Sequence, residues 1–437
     1  MTSPPDINIM KLRKQGLNPL VIIGSLFFIF GFVTWLCSVL IPYLQISCQL
    51  NNFQSYLVAF AFYISYFVMA IPSGRVLKIT GYKNGISLGL LLMAVGSLIF
   101  IPAAIYRTYS IFLIGLFVQG AGMAVLQTAA NPYVTILGPE ESAAKRMSIM
   151  GICNGIAGII APAILGVIIL NNADTITSGL KSMNPIDKIT ALNALAQKVI
   201  FPYIIITIIL IALAILIYRS TLPEIDEPSE EDNVGYFKKS SKTSISQFPH
   251  LLIGVFTLFL YVGVEVIAGN TIIQYGTYQN IPISTAKFFT SFTLTAMLAG
   301  YLVGIVCIPK YFSQKSALKY SAVIGIIFIL LALFTHGLIS VMFIALLGLS
   351  NSLMYPSIWP LAIGGLGKFT KVGSSLLVMA ISGGALLPLL YGWLADQVNA
   401  QQAYWIVVPC YLMIGYYAVW GHKIGRKKIK MTLKTIS

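Results

Sequence analysis

The feature that most constrains this chain is a series of about twelve long, continuous apolar runs. About 20 helical residues span the hydrocarbon core of a bilayer, whereas membrane β-strands are shorter and alternate apolar with polar residues. Only 9% of the residues are charged, against about a quarter in soluble proteins. We therefore predict an all-α membrane protein with about twelve transmembrane helices. The runs lie near 20–44, 54–77, 85–105, 108–137, 147–171, 196–218, 249–275, 284–309, 316–335, 337–366, 370–396 and 402–422.

Basic residues predict how the helices are oriented. If both termini are cytoplasmic, 23 of the 28 lysines and arginines fall in cytoplasmic segments and 5 in the opposite segments. Cytoplasmic loops of membrane proteins carry this excess of basic residues. The net charge of +15 is explained by these basic cytoplasmic segments, so a nucleic-acid partner is not expected.

The longest polar break divides the apolar runs into six plus six. We predict a cytoplasmic N-terminal tail at 1–19, a six-helix bundle at 20–218, a cytoplasmic linker at 219–248, a second six-helix bundle at 249–422 and a basic cytoplasmic tail at 423–437.

The two halves share a pattern of proline and glycine. Pro162 and Pro388 are 226 residues apart, and so are Gly166 and Gly392. Because six helices separate the equivalent positions, both halves keep the same orientation, as in a parallel pseudo-two-fold repeat about the membrane normal. The alternative is coincidence, since proline and glycine are common in membrane helices.

Glu265 is the acidic residue that lies deep inside an apolar run, in PHLLIGVFTLFLYVGVEVIAGNTIIQY at 249–275. A carboxylate there costs a few kcal/mol unless it is protonated, paired or facing water. Two interpretations follow. Glu265 is either a neutral partner for a neighbouring helix, or part of a site for a substrate or a coupling ion.

Neutral polar residues recur on the faces of other predicted helices. Amides offer paired donors and acceptors, and aromatic rings cover apolar ring faces, so the set is typical of a sugar site. The alternative is that each amide joins two helices. Asn270 would reach the face of Glu265 only if Gly269 breaks the helix. The candidate substrate-binding residues are Gln127, Asn131, Asn154, Glu265, Asn270, Tyr355 and Trp359.

Several of these residues lie in stretches that resemble a known family. The stretches are LQTAANPYVTILGPEESAAKRMSI, YVGVEVIAGNTIIQYG and YPSIWPLAIGGLGKFTKVGSSLLVMAISGGALLPLLYG. They resemble the fucose–galactose–glucose symporter family of the major facilitator superfamily, over nearly all of the chain. The resemblance implies the major facilitator fold and sugar transport. It also implies that Arg75, in the loop after the second helix, helps to close the cytoplasmic side, although a plain basic loop is equally consistent with the sequence.

The chain departs from this family at its proton-coupling positions. In the L-fucose symporters that this chain resembles, proton coupling uses an Asp in the first helix and a Glu in the fourth. The matching positions in this chain are Ser38 and Gln127. A carboxylate in the seventh helix is typical of glucose/galactose members, and Glu265 matches it. Some members have an acid where Asn270 stands. The resemblance therefore implies that ion coupling depends on Glu265, and that one cation ligand of those members is missing at Asn270. Sodium takes oxygen ligands, so Glu265, with Asn270 or backbone carbonyls, is a candidate ion-coupling site with Glu265 as a possible Na⁺ ligand.

We thus expect a secondary active transporter that imports a neutral hexose of the glucose/galactose type by alternating access, coupled to Na⁺ or H⁺ through Glu265. The alternatives are a uniporter in which Glu265 only binds the sugar, and a proton-coupled fucose-type symporter. We expect a monomer in the bacterial inner membrane, with a sugar substrate and no cofactor besides the coupling ion. An enzyme is not expected, because His250, His336 and His422 are far apart and no catalytic triad or Walker A motif is present.

Overall fold

The structure is a computed structural model that describes residues 19–136, 143–170, 173–180, 183–219, 244–308 and 310–425. Within these ranges the chain is helical and contains no strand. Twelve segments are long and apolar enough to cross a membrane, as the sequence predicts. We label them α1 (Ile23–Cys48), α2 (Asn52–Gly81), α3 (Lys83–Ile105), α4 (Tyr109–Ala130), α5 (Arg146–Ile169), α6 (Pro185–Arg219), α7 (Pro249–Asn270), α8 (Ile283–Cys307), α9 (Gln314–Phe334), α10 (Gly337–Ile363), α11 (Val372–Gln397) and α12 (Gln402–Lys423).

The predicted tails and linker fall largely outside the described residues. The predicted N-terminal tail contributes one described residue, Pro19, and the predicted C-terminal tail contributes residues 423–425. Of the predicted linker, residue 219 and residues 244–248 are described, and they include a short 3₁₀ turn, Ile245–Gln247. The division of the chain at these boundaries remains a prediction.

Two tight connections separate helices that are close in sequence. Between α2 and α3 the helix breaks at Gly81, whose φ of 75° and ψ of 172° suit a residue without a β-carbon. Between α3 and α4 the connection is Tyr106–Thr108, in which Arg107 has a φ of 47°. The apolar runs at 85–105 and 108–137, nearly fused in sequence, are therefore two separate helices.

Several helices of the second half are interrupted within or beside the span. Such interruptions leave backbone groups without their usual helical partners, and they are frequent in transporters. The helical pieces are Pro249–Asn270 and Ile272–Tyr278 at α7, Ile283–Ala286 and Phe289–Cys307 at α8, Gly337–Asn351 and Met354–Ile363 at α10, and Thr370–Ala380 and Gly383–Gln397 at α11.

The break in α7 lies two residues beyond Gly269. The helix continues through Asn270 and resumes after Thr271. A β-carbon at Gly269 would stand 2.2 Å from the ring of Trp35 in α1. Small residues let membrane helices approach closely, so Gly269 serves the packing of α7 on α1 and does not break the helix.

The two halves meet along two equivalent helix pairs, α2 with α11 and α5 with α8. The glycines of the predicted repeat lie in these pairs. A β-carbon at Gly392 would stand 2.4 Å from the ring of Tyr56, and one at Gly166 would stand 3.5 Å from the side chain of Lys287. The chain therefore has the architecture that the repeat predicts, with two six-helix bundles related by a parallel pseudo-two-fold axis.

We call the face at which α1 ends and α2 begins the predicted outer face, because the basic residues predict it to lie away from the cytoplasm. Two carboxylates join the two halves at this face. Asp396 accepts hydrogen bonds from the first residues of α2, and Asp174 accepts them from Ile283 and Ser284 at the start of α8. In this structure the halves are thus in direct contact at the predicted outer face.

Candidate functional site

Glu265 lies in the C-terminal third of α7, five residues before Asn270, where it is half-buried. Its carboxyl group lies within electrostatic range of the phenol groups of five tyrosines. One of them belongs to the first half of the chain, so Glu265 lies where the two halves meet. The tyrosines are Tyr63 on α2, Tyr261 on α7, Tyr301 on α8, Tyr355 on α10 and Tyr411 on α12. We call Glu265 and these residues the tyrosine cluster.

Aromatic rings of α7 and α10 form one wall of the tyrosine cluster. The ring centroids of Tyr261 and Tyr355 are 6.3 Å apart. Tyr355 stacks on Trp359, with centroids 5.7 Å apart and an interplanar angle of 28°. The two residues are one helical turn apart, as their spacing predicts. A wall of this kind can cover the apolar face of a ring-shaped ligand.

Two polar atoms on this wall have no hydrogen-bond partner although both are buried. They are the hydroxyl of Tyr261 and the indole Nε1 of Trp359. The Tyr261 hydroxyl lies beside the Glu265 carboxyl group one turn away, but the pair does not reach hydrogen-bond geometry. An unpaired buried polar group costs about 1–3 kcal/mol, so a ligand group that reached either atom would recover that cost.

Asn154 of the first half is connected to the tyrosine cluster through Trp35. The indole Nε1 of Trp35 donates a hydrogen bond to the side-chain oxygen of Asn154 at 3.4 Å. The Trp35 ring packs with Leu294, Met297 and Tyr301 of α8. Because Tyr301 also belongs to the tyrosine cluster, the structure brings Asn154 into the same region as Glu265.

Asn270 is fully buried, and neither its side-chain nitrogen nor its side-chain oxygen makes a hydrogen bond. The predicted pair of Glu265 and Asn270 is therefore not hydrogen-bonded. The break after Asn270 lies at Thr271, whose hydroxyl donates to the carbonyl of Ile267 at 2.8 Å. An amide that is buried without partners is costly to retain, and a ligand hydroxyl or an ion would supply the missing partner.

The other predicted residues take no part in the contacts described above, or are only partly described. Gln127 is half-buried in α4, and Arg75 is exposed at the end of α2 remote from the predicted outer face. Asn131 lies in the helix Tyr109–Ile136, but its side chain is outside what the structure describes. Ser38, which stands where the family's first-helix acid is expected, donates to the carbonyl of Trp35 at 2.7 Å.

Sequence reasoning missed three members of the tyrosine cluster, namely Tyr63, Tyr301 and Tyr411. Each lies in an apolar run where an aromatic residue is usually part of the packing, so periodicity gives no signal. Tyr411 donates to the side-chain oxygen of Asn351 at 2.7 Å. Asn351 thus joins α10 to α12, which is the interhelical role that the sequence left open for the amides.

The region around Glu265 offers one carboxylate, phenols, indoles and amides. In the described part of the chain there is no group of three or more His, Cys, Asp or Glu side chains that could hold a metal ion. The arrangement can accept hydrogen bonds at the carboxylate, stack a ring against aromatic side chains and take up one cation at Glu265. These are the requirements for binding a neutral, hydroxyl-rich ligand together with one ion.

Comparisons with known proteins agree with this architecture. The sequence profile of the Major Facilitator Superfamily matches residues 23–386. The chain is 36% identical to a glucose/galactose transporter of Brucella abortus over 403 residues, which are 91% of this chain and 92% of that protein. It is 33% identical to the L-fucose-proton symporter of Escherichia coli over 410 residues, 93% of each chain.

A solved structure shares the fold as well. The major facilitator transporter FucP, in the outward conformation, superimposes with a TM-score of 0.71 at 31% identity, over 93% of this chain and 99% of that chain. The superfamily is one of transporters and not of enzymes. The chain therefore belongs to the major facilitator superfamily of membrane transporters, in the branch that includes these glucose/galactose transporters and L-fucose-proton symporters.

Proposed function

We propose that this protein imports a neutral hexose of the glucose/galactose type by alternating access, coupled to Na⁺ or H⁺ through Glu265. The observation that carries the proposal is the position of Glu265, an intramembrane carboxylate gathered with tyrosines of both halves. A group at this place changes its surroundings whenever the halves move against each other. Intramembrane carboxylates of this kind commonly mark ion and substrate pathways.

The chemistry around Glu265 suits a sugar. Trp359 and Tyr355 present a stacked pair of rings, and a pyranose offers an apolar C–H face to such rings. The unpaired hydroxyl of Tyr261, the indole of Trp359 and the amide of Asn270 are donors and acceptors for sugar hydroxyls. None of these residues is basic, so a neutral substrate fits better than an anion.

The relatives support the same class of substrate, since they are glucose/galactose transporters and L-fucose-proton symporters. Within that class, Ser38 and Gln127 cannot carry a proton at physiological pH, and Ser38 is bonded to its own helix backbone. Coupling therefore depends on Glu265, with Asn270 contributing an oxygen ligand if the ion is Na⁺. We place the protein in the bacterial inner membrane with both termini cytoplasmic, as a monomer.

The experiment that tests this function is uptake of labelled sugars into proteoliposomes. D-glucose, D-galactose and L-fucose are each offered with an inward Na⁺ gradient, with an inward proton gradient, or with neither. The proposal predicts accumulation of a hexose above its external concentration with one of the two gradients, abolished by an ionophore for that ion. Uptake that only equilibrates under every gradient would establish a uniporter, and absence of uptake of all three sugars would contradict hexose transport.

A second measurement tests the binding residues. Tyr355→Ala removes a ring of the stacked pair, and Trp359→Phe removes the unpaired indole donor while keeping a ring. We expect both to raise the KM for the transported sugar. For Tyr355→Ala the increase should be about tenfold or more, which corresponds to the loss of one stacking contact. Asn131→Ala tests the fourth helix in the same assay. Normal kinetics in both Asn131→Ala and Tyr355→Ala would place the binding site elsewhere.

A further inference from the structure

A cavity lies between the halves at the predicted outer face, away from the tyrosine cluster. Its volume is about 490 Å³, within the range of roughly 300–1,000 Å³ that small-molecule sites occupy. The first half contributes Gln45, Asn52 and Tyr56, and the second half contributes Gln274, Tyr278 and Asn399 among others. The cavity shares no residue with the tyrosine cluster, and it exists because the two halves meet at this face.

We call this cavity the outer cavity. Its lining is largely polar, and none of the described residues that form it is charged. Gln274 donates from its side-chain nitrogen to Gln45 and, at 3.2 Å, to the hydroxyl of Ser55. Its side-chain oxygen is buried and has no hydrogen-bond partner. The side chain of Gln274 is thus held in place by partners in the first half, at the boundary between the two halves.

Aromatic rings complete the lining. Tyr278 is 46% exposed and stacks on Tyr275, with centroids 6.1 Å apart and an interplanar angle of 18°. Tyr56 and Tyr391 meet edge to face at 5.6 Å. Of these rings Tyr278 is the exposed one. Amides beside an exposed aromatic ring suit a neutral polyhydroxylated ligand, because the amides pair with hydroxyls and the ring covers a C–H face.

We propose that the outer cavity is a second carbohydrate-binding site, which takes a neutral hexose or hexoside from the predicted outer side. Because both halves supply its lining, the ligand binds only while the halves are in contact at this face. Bound sugar therefore stabilises the closed outer face and slows its opening. The cavity holds a ligand that is not being transported, and the effect on transport rests on the proposed hexose import.

The size of the effect follows from mass action. A ligand that binds one of two conformations shifts their ratio by the factor 1 + [L]/Kd. At an external sugar concentration about ten times the Kd of the outer cavity, the ratio of open to closed outer faces falls about elevenfold. Initial uptake should then rise with external sugar, pass through a maximum and fall.

Two variants test the outer cavity without touching the tyrosine cluster. Tyr278→Ala removes an exposed ring from the lining, and Val398→Trp places a large side chain at a lining position that is 63% exposed. The matched control is Tyr106→Ala, at a tyrosine that is 74% exposed on the same face and does not line the cavity. All three positions are exposed, so each variant should fold.

In proteoliposomes we expect wild type and Tyr106→Ala to show reduced initial uptake at high external D-glucose or D-galactose. Tyr278→Ala and Val398→Trp should lose this decline, or need at least tenfold more sugar to reach it, with unchanged uptake at low concentration. A decline that is equal in all four proteins, or absent from wild type, would overturn the proposal.

Calorimetric titration of the purified proteins in nanodiscs with the same two sugars separates this site from transport. We expect a weak class of binding that persists in Glu265→Gln and Tyr106→Ala and disappears in Tyr278→Ala and Val398→Trp. If wild type transports hexose but shows no weak binding of this kind, the outer cavity is only a water-filled vestibule. The second binding site is then refuted while the proposed transport function stands. If the class is present but no sugar is transported, the proposed function fails and the binding site stands.

Discussion

Asp396, in the last turn of α11, accepts two hydrogen bonds from Asn52 at the start of α2, which is 344 residues earlier in the chain. The backbone amide of Asn52 donates at 3.2 Å and its side-chain nitrogen at 2.7 Å. The second carboxylate oxygen accepts from the backbone amide of Phe53 at 2.8 Å. The first amides of a helix lack partners within the helix and carry partial positive charge, so an anion there is stabilising.

This contact joins the two halves, and opening the predicted outer face must break it. We expect Asp396→Asn to favour the open face, because the neutral amide loses the charge-assisted bonds. The hydrogen bonds at an exposed carboxylate contribute about 1 kcal/mol together. Their loss should therefore raise the ratio of open to closed molecules about fivefold. The measurement is hydrogen–deuterium exchange at residues 52–56, which should quicken by about that factor.

Asp187→Asn is the matched control for this exchange measurement. Asp187 lies on the same face, but within the described part of the chain its carboxylate bonds to Asn184 of the first half, at 2.7 Å, and to no residue of the second half. The control should leave exchange at residues 52–56 unchanged. Equal exchange in wild type and Asp396→Asn would show that the contact does not hold the halves together.

Asp174 makes the equivalent contact on the other side of the pseudo-axis, and it predicts a pH dependence. Partial burial opposes ionisation, but the backbone amides of Ser284 and Ile283, at 3.0 and 2.9 Å, hold the pKa of the Asp174 carboxyl below its ordinary value. When the halves separate, the pKa returns toward about 4. The stabilisation of the closed face is therefore complete above the ordinary pKa, and it is lost as the pH falls through the lowered pKa.

Distances between spin labels at Thr175→Cys and Tyr278→Cys, in a cysteine-free background, test this dependence. We expect an unchanged distribution from pH 7 down to about 5, and a growing population of longer distances below about 4. In Asp174→Asn the acid-dependent component due to this carboxylate should be absent. A transition of the same size in Asp174→Asn would assign the acid response to another group.

The buried amides of Asn270 and Asn351 should respond in opposite ways to replacement by leucine. Asn270 has no hydrogen-bond partner, so Asn270→Leu should leave the free energy of unfolding unchanged or raise it by about 1 kcal/mol, while uptake falls at least tenfold. Asn351 accepts from Tyr411, so Asn351→Leu should lower the free energy of unfolding by about 1–2 kcal/mol.

Thermal unfolding in detergent and sugar uptake measure the two effects in parallel. Retained uptake in Asn270→Leu would remove this residue from the transport site. A loss of stability in Asn270→Leu as large as that in Asn351→Leu would show that its amide is satisfied in the protein.

Gly269 and Gly155 form another matched pair. A β-carbon at Gly269 would stand 2.2 Å from the buried ring of Trp35, which also packs on Gly158. Gly269→Ala should therefore displace Trp35, cost about 1–3 kcal/mol of stability and impair uptake. At Gly155 the nearest atom beyond the chain neighbours is 3.8 Å away, so Gly155→Ala should be tolerated. Normal uptake by Gly269→Ala would mean that the position of Trp35 is not important for transport.

The helices were predictable because a bilayer imposes a minimum length of apolar chain, and each run satisfies it on its own. Glu265 was predictable for the same reason, since a carboxylate within such a run stands out locally. Tyr355 and Trp359 share a helical face, so their stacking follows from their spacing.

The surroundings of Glu265 were not predictable, because they come from other helices. Tyr63 and Tyr301 have no local feature that separates them from packing residues. The partners of Asp396 lie in the other half of the chain, so they can be identified only from the way the two halves pack together. The break in α7 lies at Thr271 and not at Gly269, whose missing side chain instead lets Trp35 pack closely, which is likewise a contact between distant segments.

We propose above that Glu265 couples an ion to sugar movement between the two halves. The most direct test compares wild type with Glu265→Gln in proteoliposomes, measuring exchange of labelled hexose without a gradient and accumulation with an Na⁺ or proton gradient. We expect Glu265→Gln to retain exchange and to lose accumulation. Accumulation by Glu265→Gln to the wild-type level, under the same gradient, would contradict it.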